Sequence, residues 1–286
     1  MLMFAILEWE AHMLRKTTDL ERYIIGATDG TIGHVTDFYF DDEAWVIRYL
    51  VVDTGAWLSS RKVLISPIAI GQPNWAEKLL PVAITKEQVK NSPEIDTEKP
   101  VSRQQELQNL EYYGYPYYWV GTGIWGQGAY PSMMLPSFGS AFQGRQMQEA
   151  HIPTDAEPRR REAGDPHLRS CKEVMEYHIH ATDGDIGHVQ SMLVDEETWA
   201  IRYLIVDTSN WWLGHQVLIA PQWIQDVSWP DAKVAVDLTR QAVKNAPPYD
   251  PAARLERKQE AGIYKHYSRA GYWTDRPIRD SASARQ

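Results

Sequence analysis

The chain has 286 residues, of which 43% are hydrophobic, and it carries a formal net charge of −9 with an isoelectric point near 5.5. Its length suits one or two packed domains of about 100–200 residues each. The negative charge repels a phosphate backbone, and the basic run Arg159–Arg161 is flanked by acidic residues, so nucleic acid is not expected as a partner. The single cysteine excludes an intrachain disulfide and favours a reducing compartment.

The first ten residues, MLMFAILEWE, contain seven consecutive apolar residues before the first acid. This run is too short for a membrane span and lacks the basic start of a secretory signal. No other stretch supplies the about 20 apolar residues that a span needs. We therefore expect a soluble, cytoplasmic protein, in which residues 1–13 are an N-terminal appendage and Met13 could itself be the start.

The chain contains an internal repeat with a constant offset of 154 residues. Residues 28–70 align without a gap on residues 182–224, and 23 of these 43 positions are identical. The same offset joins further pairs outside that block: Leu14-Arg15 with Leu168-Arg169, Trp75 with Trp229, Arg103 with Arg257, Glu106 with Glu260, and Tyr118-Trp119 with Tyr272-Trp273. The two copies span about 14–119 and 168–273.

Each copy is predicted to be a small β domain. Residues 23–35, YIIGATDGTIGHV, are two short apolar runs around Asp29-Gly30, which predicts a tight hairpin, and Asp183-Gly184 predicts the same turn in the second copy. Residues 45–53, WVIRYLVVD, are apolar on nearly both faces and predict a central strand. The next strand, KVLIS, is expected to stop at Pro67.

Short helices are predicted to follow the strands. Thr85 and Thr239 can cap brief helices that end before Pro93 and Pro247. Residues 101–113, VSRQQELQNLEYY, predict a second, polar helix, and the second copy repeats it. Five or six short strands in about 75 residues favour a small closed barrel, which leaves no free edges, over a sandwich.

The segment between the copies has a different composition. No charged residue occurs from Tyr112 to Gly144, and the stretch is rich in glycine, proline and aromatic residues. It predicts an extended, disordered linker over 120–167. The alternative is peripheral membrane contact through 112–144, with Trp125, Tyr130 and Met133–Leu135 as anchors, although interfacial segments usually carry basic residues.

The motifs of each copy resemble the PRC-barrel domain family. They are TDG-x-IG-x-V, an acid pair, and then IRYLVVDTG-x-W and VLISP. The family includes the cytoplasmic domain of the photosynthetic reaction-centre H subunit and the C-terminal domain of RimM. The resemblance implies a mainly β fold with two small six-stranded SH3-like barrels, each followed by short helical segments and joined by the linker. The implied layout is an appendage, barrel, helical tail, linker, barrel, helical tail and disordered C-terminus at residues 1–13, 14–96, 97–119, 120–167, 168–250, 251–273 and 274–286.

The second hairpin, HIHATDGDIGHVQ, suggests a metal site built on His178, His180 and His188. The first copy has Ile24 and Gly26 in place of the first two histidines. With an Asp183-Gly184 loop, the last histidine faces the opposite side of the hairpin. We therefore expect a hairpin turn, with neither a metal nor another cofactor.

Arginines recur on the predicted central strand as Arg48 and Arg202. A buried arginine needs an acidic partner, because an unpaired buried charge is costly. We expect Arg48 to pair with Asp53 or Asp41, and Arg202 with Asp207. A small filled barrel leaves little room for a cleft, so no catalytic residues are predicted.

Turn residues of the barrels are the candidates for binding a partner. Tryptophan and arginine dominate protein interfaces, which singles out Trp57, Arg61, Trp211 and Trp212, although a turn tryptophan can also simply cover a barrel end. We expect a non-enzymatic bacterial assembly module that docks on other proteins, by two-point attachment, self-association or pairing of its own barrels. The alternatives are a peripheral subunit of a membrane electron-transfer complex of the photosynthetic type, or a metal-dependent protein using His178, His180 and Asp183.

Overall fold

The computed structural model describes residues 13–94, 101–134, 166–208 and 216–274. These residues divide into two compact units. The first unit contains Leu14–Met175 and Ser191–Arg202; the second contains Met13, Glu176–Gln190 and the described chain from Tyr203 onward. The predicted mainly β class is confirmed.

The strands form two seven-stranded sheets. In chain order they are β1 (Leu14–Lys16), β2 (Ile24–Ala27), β3 (Gly30–Asp41), β4 (Val46–Asp53), β5 (Lys62–Ile65), β6 (Leu79–Pro81), β7 (Val101–Ser102), β8 (Pro166–Ser170), β9 (His178–Ala181), β10 (Gly184–Asp195), β11 (Ile201–Asp207), β12 (Gln216–Ile219), β13 (Ile224–Ser228) and β14 (Lys233–Val236). One sheet has the order β5-β4-β3-β2-β6, with β8 joined to β3 and β7. The other has the order β12-β11-β10-β9-β14-β13, with β1 joined to β10.

The helices are short. They are α1 (Thr17–Leu20), α2 (Lys86–Lys90), α3 (Arg103–Tyr113), α4 (Cys171–Val174), α5 (Arg240–Lys244) and α6 (Arg257–His266). The predicted caps are confirmed, since the Thr85 and Thr239 hydroxyls accept hydrogen bonds from the first turns of α2 and α5. The predicted polar helices after the strands are α3 and α6. No helix in the described ranges is both long enough and apolar enough to cross a bilayer.

The prediction of closed barrels is wrong, because the described sheets are open. In the first unit, Pro67 starts a 3-10 turn, Pro67–Ala69, directly after β5. The turn redirects the chain before β5 can form a ladder with β6. The residues after this turn pair with the end of β6 through the Ile70–Val82 bridge and two flanking hydrogen bonds, from the Ala83 N–H to the Ala69 carbonyl and from the Gly71 N–H to the Pro81 carbonyl, both at 2.8 Å. The central position predicted for residues 45–53 is confirmed, since seven of the eight residues of β4 are buried.

Part of the segment predicted as an extended linker is folded. Residues 120–134 form bridges from Gly123 to Gly126 and from Trp125 to Gly128, followed by the 3-10 turn Pro131–Met134. The Trp125 side chain is fully buried, and its indole N–H donates to the Thr198 carbonyl at 2.8 Å. Burial of this indole gives an uncharged, glycine-rich segment the apolar contact that composition alone does not reveal. Residues 135–165 of the predicted linker lie outside the described residues, as do 1–12 and most of the predicted disordered C-terminus.

The first strand of each copy pairs with the long strand of the other copy. β1 is antiparallel to residues 193–195 of β10, and β8 is antiparallel to residues 39–41 of β3. All of these residues belong to the first unit. The sequence boundaries 14–96 and 168–250 had instead assigned each of these strands to the barrel of its own copy.

Candidate functional site

The two Asp-Gly pairs serve the hairpins, but the loop lies one residue earlier than predicted. Ala27 pairs with Gly30, so the loop is Thr28-Asp29, and Gly30 begins β3 with a φ of 137°. The Asp29 carboxylate accepts the Lys86 N–H at 2.8 Å, which ties the hairpin to the start of α2. Asp183 accepts the Arg240 N–H in the same way at 2.7 Å, and Gly184 has a φ of 134°.

The Ile-Gly pair of the motif is explained by a close backbone approach. A Cβ atom on Gly33 would lie 1.9 Å from the Asp53 carbonyl oxygen, and one on Gly187 would lie 2.0 Å from the Asp207 carbonyl oxygen. Only glycine fits at either position. The glycines of the repeated motif are therefore explained by the packing of the strands.

Arg48 pairs with Asp41 rather than with Asp53. The distance from Nη2 to the Asp41 Oδ2 is 3.3 Å, and both side chains are buried. Asp41 lies opposite Val46 on the neighbouring strand, which makes it a diagonal neighbour of Arg48 on the same face. Asp53 is five residues along the same strand as Arg48 and therefore points to the opposite face; its carboxylate accepts the Gly55 N–H at 2.8 Å.

The second copy repeats this ion pair. Arg202 Nη2 lies 3.2 Å from Asp195 Oδ2 and 3.2 Å from the Thr198 hydroxyl. The predicted partner, Asp207, is again five residues along the strand and on its other face. In both copies the acid at the end of the long strand pairs with the arginine: this is one of the two acids predicted for Arg48, and it replaces Asp207 as the predicted partner of Arg202.

The histidines of the second hairpin are not gathered into a metal site. A β-bulge between Asp185 and Gly187 places His188 opposite His178, which corrects the predicted opposite facing. His180 Nδ1 lies 2.7 Å from Asp185 Oδ1, and this hydrogen bond lowers the pKa of the Asp185 carboxyl. Within the described parts of the chain, no cluster of three or more His, Cys, Asp or Glu side chains could hold a metal ion.

The predicted binding tryptophan of the first copy is half-buried. The Trp57 indole donates to the Ile32 carbonyl, and the Lys86 ammonium lies 4.4 Å from the Trp57 ring centroid. The Arg61 guanidinium donates to the carbonyls of Lys90, Ser92 and Pro93 at 2.7–3.0 Å. Arg61 thus binds the C-terminal end of α2. Trp211 and Trp212 lie outside the described residues.

A second set of recurring residues forms a cluster that sequence reasoning did not assign to a site. In the first copy, the Glu106 carboxylate is fully buried and accepts bonds from Arg103 Nη1 at 3.0 Å and His167 Nε2 at 2.8 Å. Arg103 also donates to the Tyr118 hydroxyl at 3.2 Å, and its guanidinium lies 4.1 Å from the centroid of the Trp119 ring.

The second copy brings the equivalent glutamate, arginine, tyrosine and tryptophan together, with a different set of hydrogen bonds. The Glu260 carboxylate accepts the hydroxyls of Tyr203 and Tyr272, each at 2.9 Å, and pairs with Arg257 at 2.9 Å. Arg257 donates to the Tyr272 hydroxyl at 2.8 Å and lies 4.5 Å from the centroid of the Trp273 ring. Burial and the neighbouring Glu260 raise the pKa of Tyr203 far above its ordinary value.

Each cluster has a buried side and an exposed side. The two glutamates are buried, whereas Arg103 and Arg257 keep 31% and 34% of their side chains exposed, and Trp119 and Trp273 are half-buried. We call these the two Arg–Trp pairs: Arg103 with Trp119 and Arg257 with Trp273. Their recurrence at the offset of 154 residues was the signal in the sequence that could have identified them.

Residues 20–83 match the model of the family described as PRC-barrel domain. This part of the chain belongs to the PRC-barrel family. The match covers β2 to β6 of the first unit, which is where the Asp-Gly hairpin, Gly33 and the Arg48–Asp41 pair lie. The Arg–Trp pair of the first copy lies after the PRC-barrel match, in α3 and the residues that follow it. No curated protein matches the chain.

Proposed function

We propose that the chain is a non-enzymatic protein-interaction module in which both copies are PRC barrels and the two Arg–Trp pairs bind a partner. The observation that carries this proposal is the recurrence of one half-exposed arginine stacked on one half-exposed tryptophan in each copy. Arginine and tryptophan are the side chains most enriched among the dominant residues of protein interfaces. Two matching pairs allow a partner with two epitopes to bind with avidity.

The buried residues that hold each Arg–Trp pair favour a role in binding for its exposed arginine and tryptophan. Each buried glutamate fixes its arginine through an ion pair within one helical turn, and a tyrosine hydroxyl fixes it from the other side. An arginine held in place loses less conformational freedom when a partner binds. The remaining guanidinium donors suit an acidic side chain on that partner.

The test is quantitative capture of proteins from the source organism on immobilised full-length chain. Trp119→Ala and Trp273→Ala are made singly and together. Trp229→Ala is the control for a recurring, half-buried tryptophan, and Trp75→Ala is the control for a half-buried ring packed on an arginine, because the Arg15 guanidinium lies 3.7 Å from its centroid. We expect a defined protein to be retained by the wild type and the controls, reduced by each single variant and lost from the double variant. Equal retention of the protein by the folded double variant contradicts the proposal. Loss of retention in Trp57→Ala alone also contradicts it, and indicates that the partner binds at the turn between β4 and β5.

A second candidate is a peripheral subunit at a membrane, supported by exposed apolar side chains in the uncharged segment. Val120 is 49% exposed and Met133 is 65% exposed. Flotation with phosphatidylcholine–phosphatidylglycerol vesicles tests this candidate, with Val120→Glu and Met133→Glu as variants at exposed positions. Flotation of the wild type that both variants abolish supports it; wild-type protein that stays at the bottom of the gradient contradicts it.

A further inference from the structure

The two exchanged strands are part of a set of contacts that occurs twice, with the copies interchanged. Leu14 to Lys16 pair with Asp195 to Leu193, and Leu168 to Ser170 pair with Asp41 to Tyr39. Adding or subtracting 154 turns each register into the other. We call this set the seam, together with the segments Trp45–Ile47 and Trp199–Ile201 described below. All of these residues lie within the first unit.

Ion pairs at the two ends of the seam obey the same exchange. Arg15 Nε lies 2.7 Å from Glu196 Oε2, and Arg169 Nε lies 3.2 Å from Asp42 Oδ2. Arg15 corresponds to Arg169, and Asp42 corresponds to Glu196, so each arginine of one copy binds the equivalent acid of the other. Such reciprocity, in which residue i contacts j and j contacts i, defines an isologous interface.

The middle of the seam is formed by two segments, Trp45–Ile47 and Trp199–Ile201, each of which contains a tryptophan with positive φ. Trp45 and Trp199 have φ values of 54° and 58°, in the left-handed region that a bulky residue avoids. The Trp45 carbonyl accepts the Ile201 N–H and the Trp199 carbonyl accepts the Ile47 N–H, both at 2.8 Å. Val46 and Ala200, which correspond to each other, form a bridge. The strained conformation therefore aims each carbonyl at the other copy.

The seam also covers edges that would otherwise be open. Residues 39–41 of β3 pair with β4 on one side, and without β8 their other side would expose backbone N–H and carbonyl groups. Apolar side chains are buried at this point, among them Phe40, Leu168 and Val194. Strand pairing, apolar burial and reciprocal ion pairs thus coincide along one surface.

We propose that each copy is the binding partner of the other and that the seam is their interface. The contacts of the seam are sufficient to hold the two copies together, so the peptide connection between them is dispensable for their association. The chain is accordingly a monomer in solution, since each exchanged strand already has its acceptor within the chain. This inference is independent of the external partner and holds whether or not the Arg–Trp pairs bind one.

The test uses the full chain with a protease recognition site inserted within residues 135–165. After cleavage, verified on a denaturing gel, the mass in solution is measured by size-exclusion chromatography with light scattering. We expect the uncleaved protein to have the mass of a monomer of the full chain. After cleavage, we expect the two fragments to stay together at that same mass at micromolar concentration. Separation of folded fragments, or an uncleaved chain at twice the mass, overturns the proposal.

Charge-reversal variants of the two seam arginines test whether the fragments associate through the seam. In the cleaved protein, Arg169→Glu places two acids together at the more buried pair and is expected to weaken fragment association by about 100-fold, and Arg15→Glu by about tenfold. Asp42→Arg combined with Arg169→Glu restores part of the loss. Glu94→Arg, at an exposed position of the same unit away from the seam, is the control and leaves association unchanged. Unchanged association in Arg169→Glu places the interface elsewhere and overturns the proposal.

The single cysteine supplies a second readout that does not depend on cleavage. Cys171 is buried and directly follows β8. Labelling of its thiol in the uncleaved chain therefore reports opening of the seam. We expect Arg169→Glu to accelerate labelling at least about tenfold relative to the wild type. Equal labelling rates for both proteins under native conditions contradict the proposal.

Discussion

The Arg48 guanidinium lies 3.7 Å from the centroid of the Tyr118 ring and donates to the Ile124 carbonyl at 2.6 Å. The central strand β4 of the PRC-barrel domain is thereby joined to the segment that follows α3. Asp41 neutralises the same guanidinium from the end of β3. One buried arginine thus connects the barrel, the folded segment and the seam.

Replacing Arg48 with methionine is expected to destabilise the protein by about 3–5 kcal/mol, because the change leaves the Asp41 carboxylate buried without its cation. Arg48→Lys is expected to recover little, since an ammonium cannot stack on Tyr118 while it binds both oxygens. Arg202→Met is the matched control and costs about 1.5–3 kcal/mol, because Arg202 is more exposed. Urea unfolding measures all three. An equal cost at the two positions would contradict this account.

Alanine at Gly33 or Gly187 is expected to cost about 3 kcal/mol or more, because the new Cβ would collide with a carbonyl of the adjacent strand. Gly262→Ala serves as the control. Gly262 lies inside α6 with open space around it, so alanine there is expected to stabilise the protein by about 0.5–1 kcal/mol. Thermal unfolding of the three variants gives the comparison, and a mild effect at Gly33 would rule out the close approach.

Tyr203→Phe and Tyr49→Phe are expected to differ although the positions correspond. The Tyr203 hydroxyl donates to Glu260, so its removal is expected to cost about 1.5–3 kcal/mol. The Tyr49 hydroxyl is buried, and burial and the neighbouring Glu106 raise its pKa, but within the described residues it forms no hydrogen bond of ordinary geometry. Its removal is expected to be neutral or slightly stabilising. Denaturant unfolding of both variants decides, and a larger loss at Tyr49 would reverse the assignment.

The stability contributed by Asp37 is expected to fall as pH rises. Burial raises the pKa of its carboxyl above the ordinary value of 3.8, against the lowering effect of bonds from Ser170, Phe38 and Lys172. The folded state therefore holds this proton more tightly than the unfolded state, so ionisation destabilises the fold between pH 3.8 and the folded-state pKa. Asp37→Asn removes this loss. The difference in free energy of unfolding between the variant and the wild type should rise with pH through that window, as measured by unfolding at pH 3.5 to 7; a flat difference would contradict it.

The purified chain is expected to carry no stoichiometric zinc or nickel on the His178 hairpin. The comparison is elemental analysis of the wild type and of His180→Gly, which places the residue of the first copy at this position. Equal metal content near zero is the expected outcome. A full equivalent in the wild type that the variant loses would establish a metal site.

The sequence predicted the local elements of the fold well, because their causes are local. The hairpins follow from Asp-Gly pairs, β5 ends shortly before Pro67, and α2 and α5 begin at threonine caps. Even the Arg48 partner was among the predicted acids. These features depend on backbone conformation and strand periodicity over a few residues.

The exchange of β1 and β8 could not be predicted in the same way. Leu14-Arg15 and Leu168-Arg169 are equivalent, so pairing within a copy and pairing between copies satisfy the same apolar pattern and the same ion pairs. The fold of residues 120–134 was missed for a related reason: Trp125 is buried by residues distant in the chain, which composition does not reveal. The residues of the Arg–Trp pairs are identical in the two copies of the sequence, but their grouping around a buried glutamate depends on tertiary structure.

His167 illustrates what joining two copies in one chain makes available. Its imidazole lies 2.8 Å from the Glu106 carboxylate, and the residue that corresponds to it in the first copy is Met13, whose side chain has no hydrogen-bond donor. In an assembly of identical chains, one substitution would alter both equivalent sites at once. Here a substitution alters the site in one copy only, so mutation can adapt that copy to a new function while the other copy keeps the original packing.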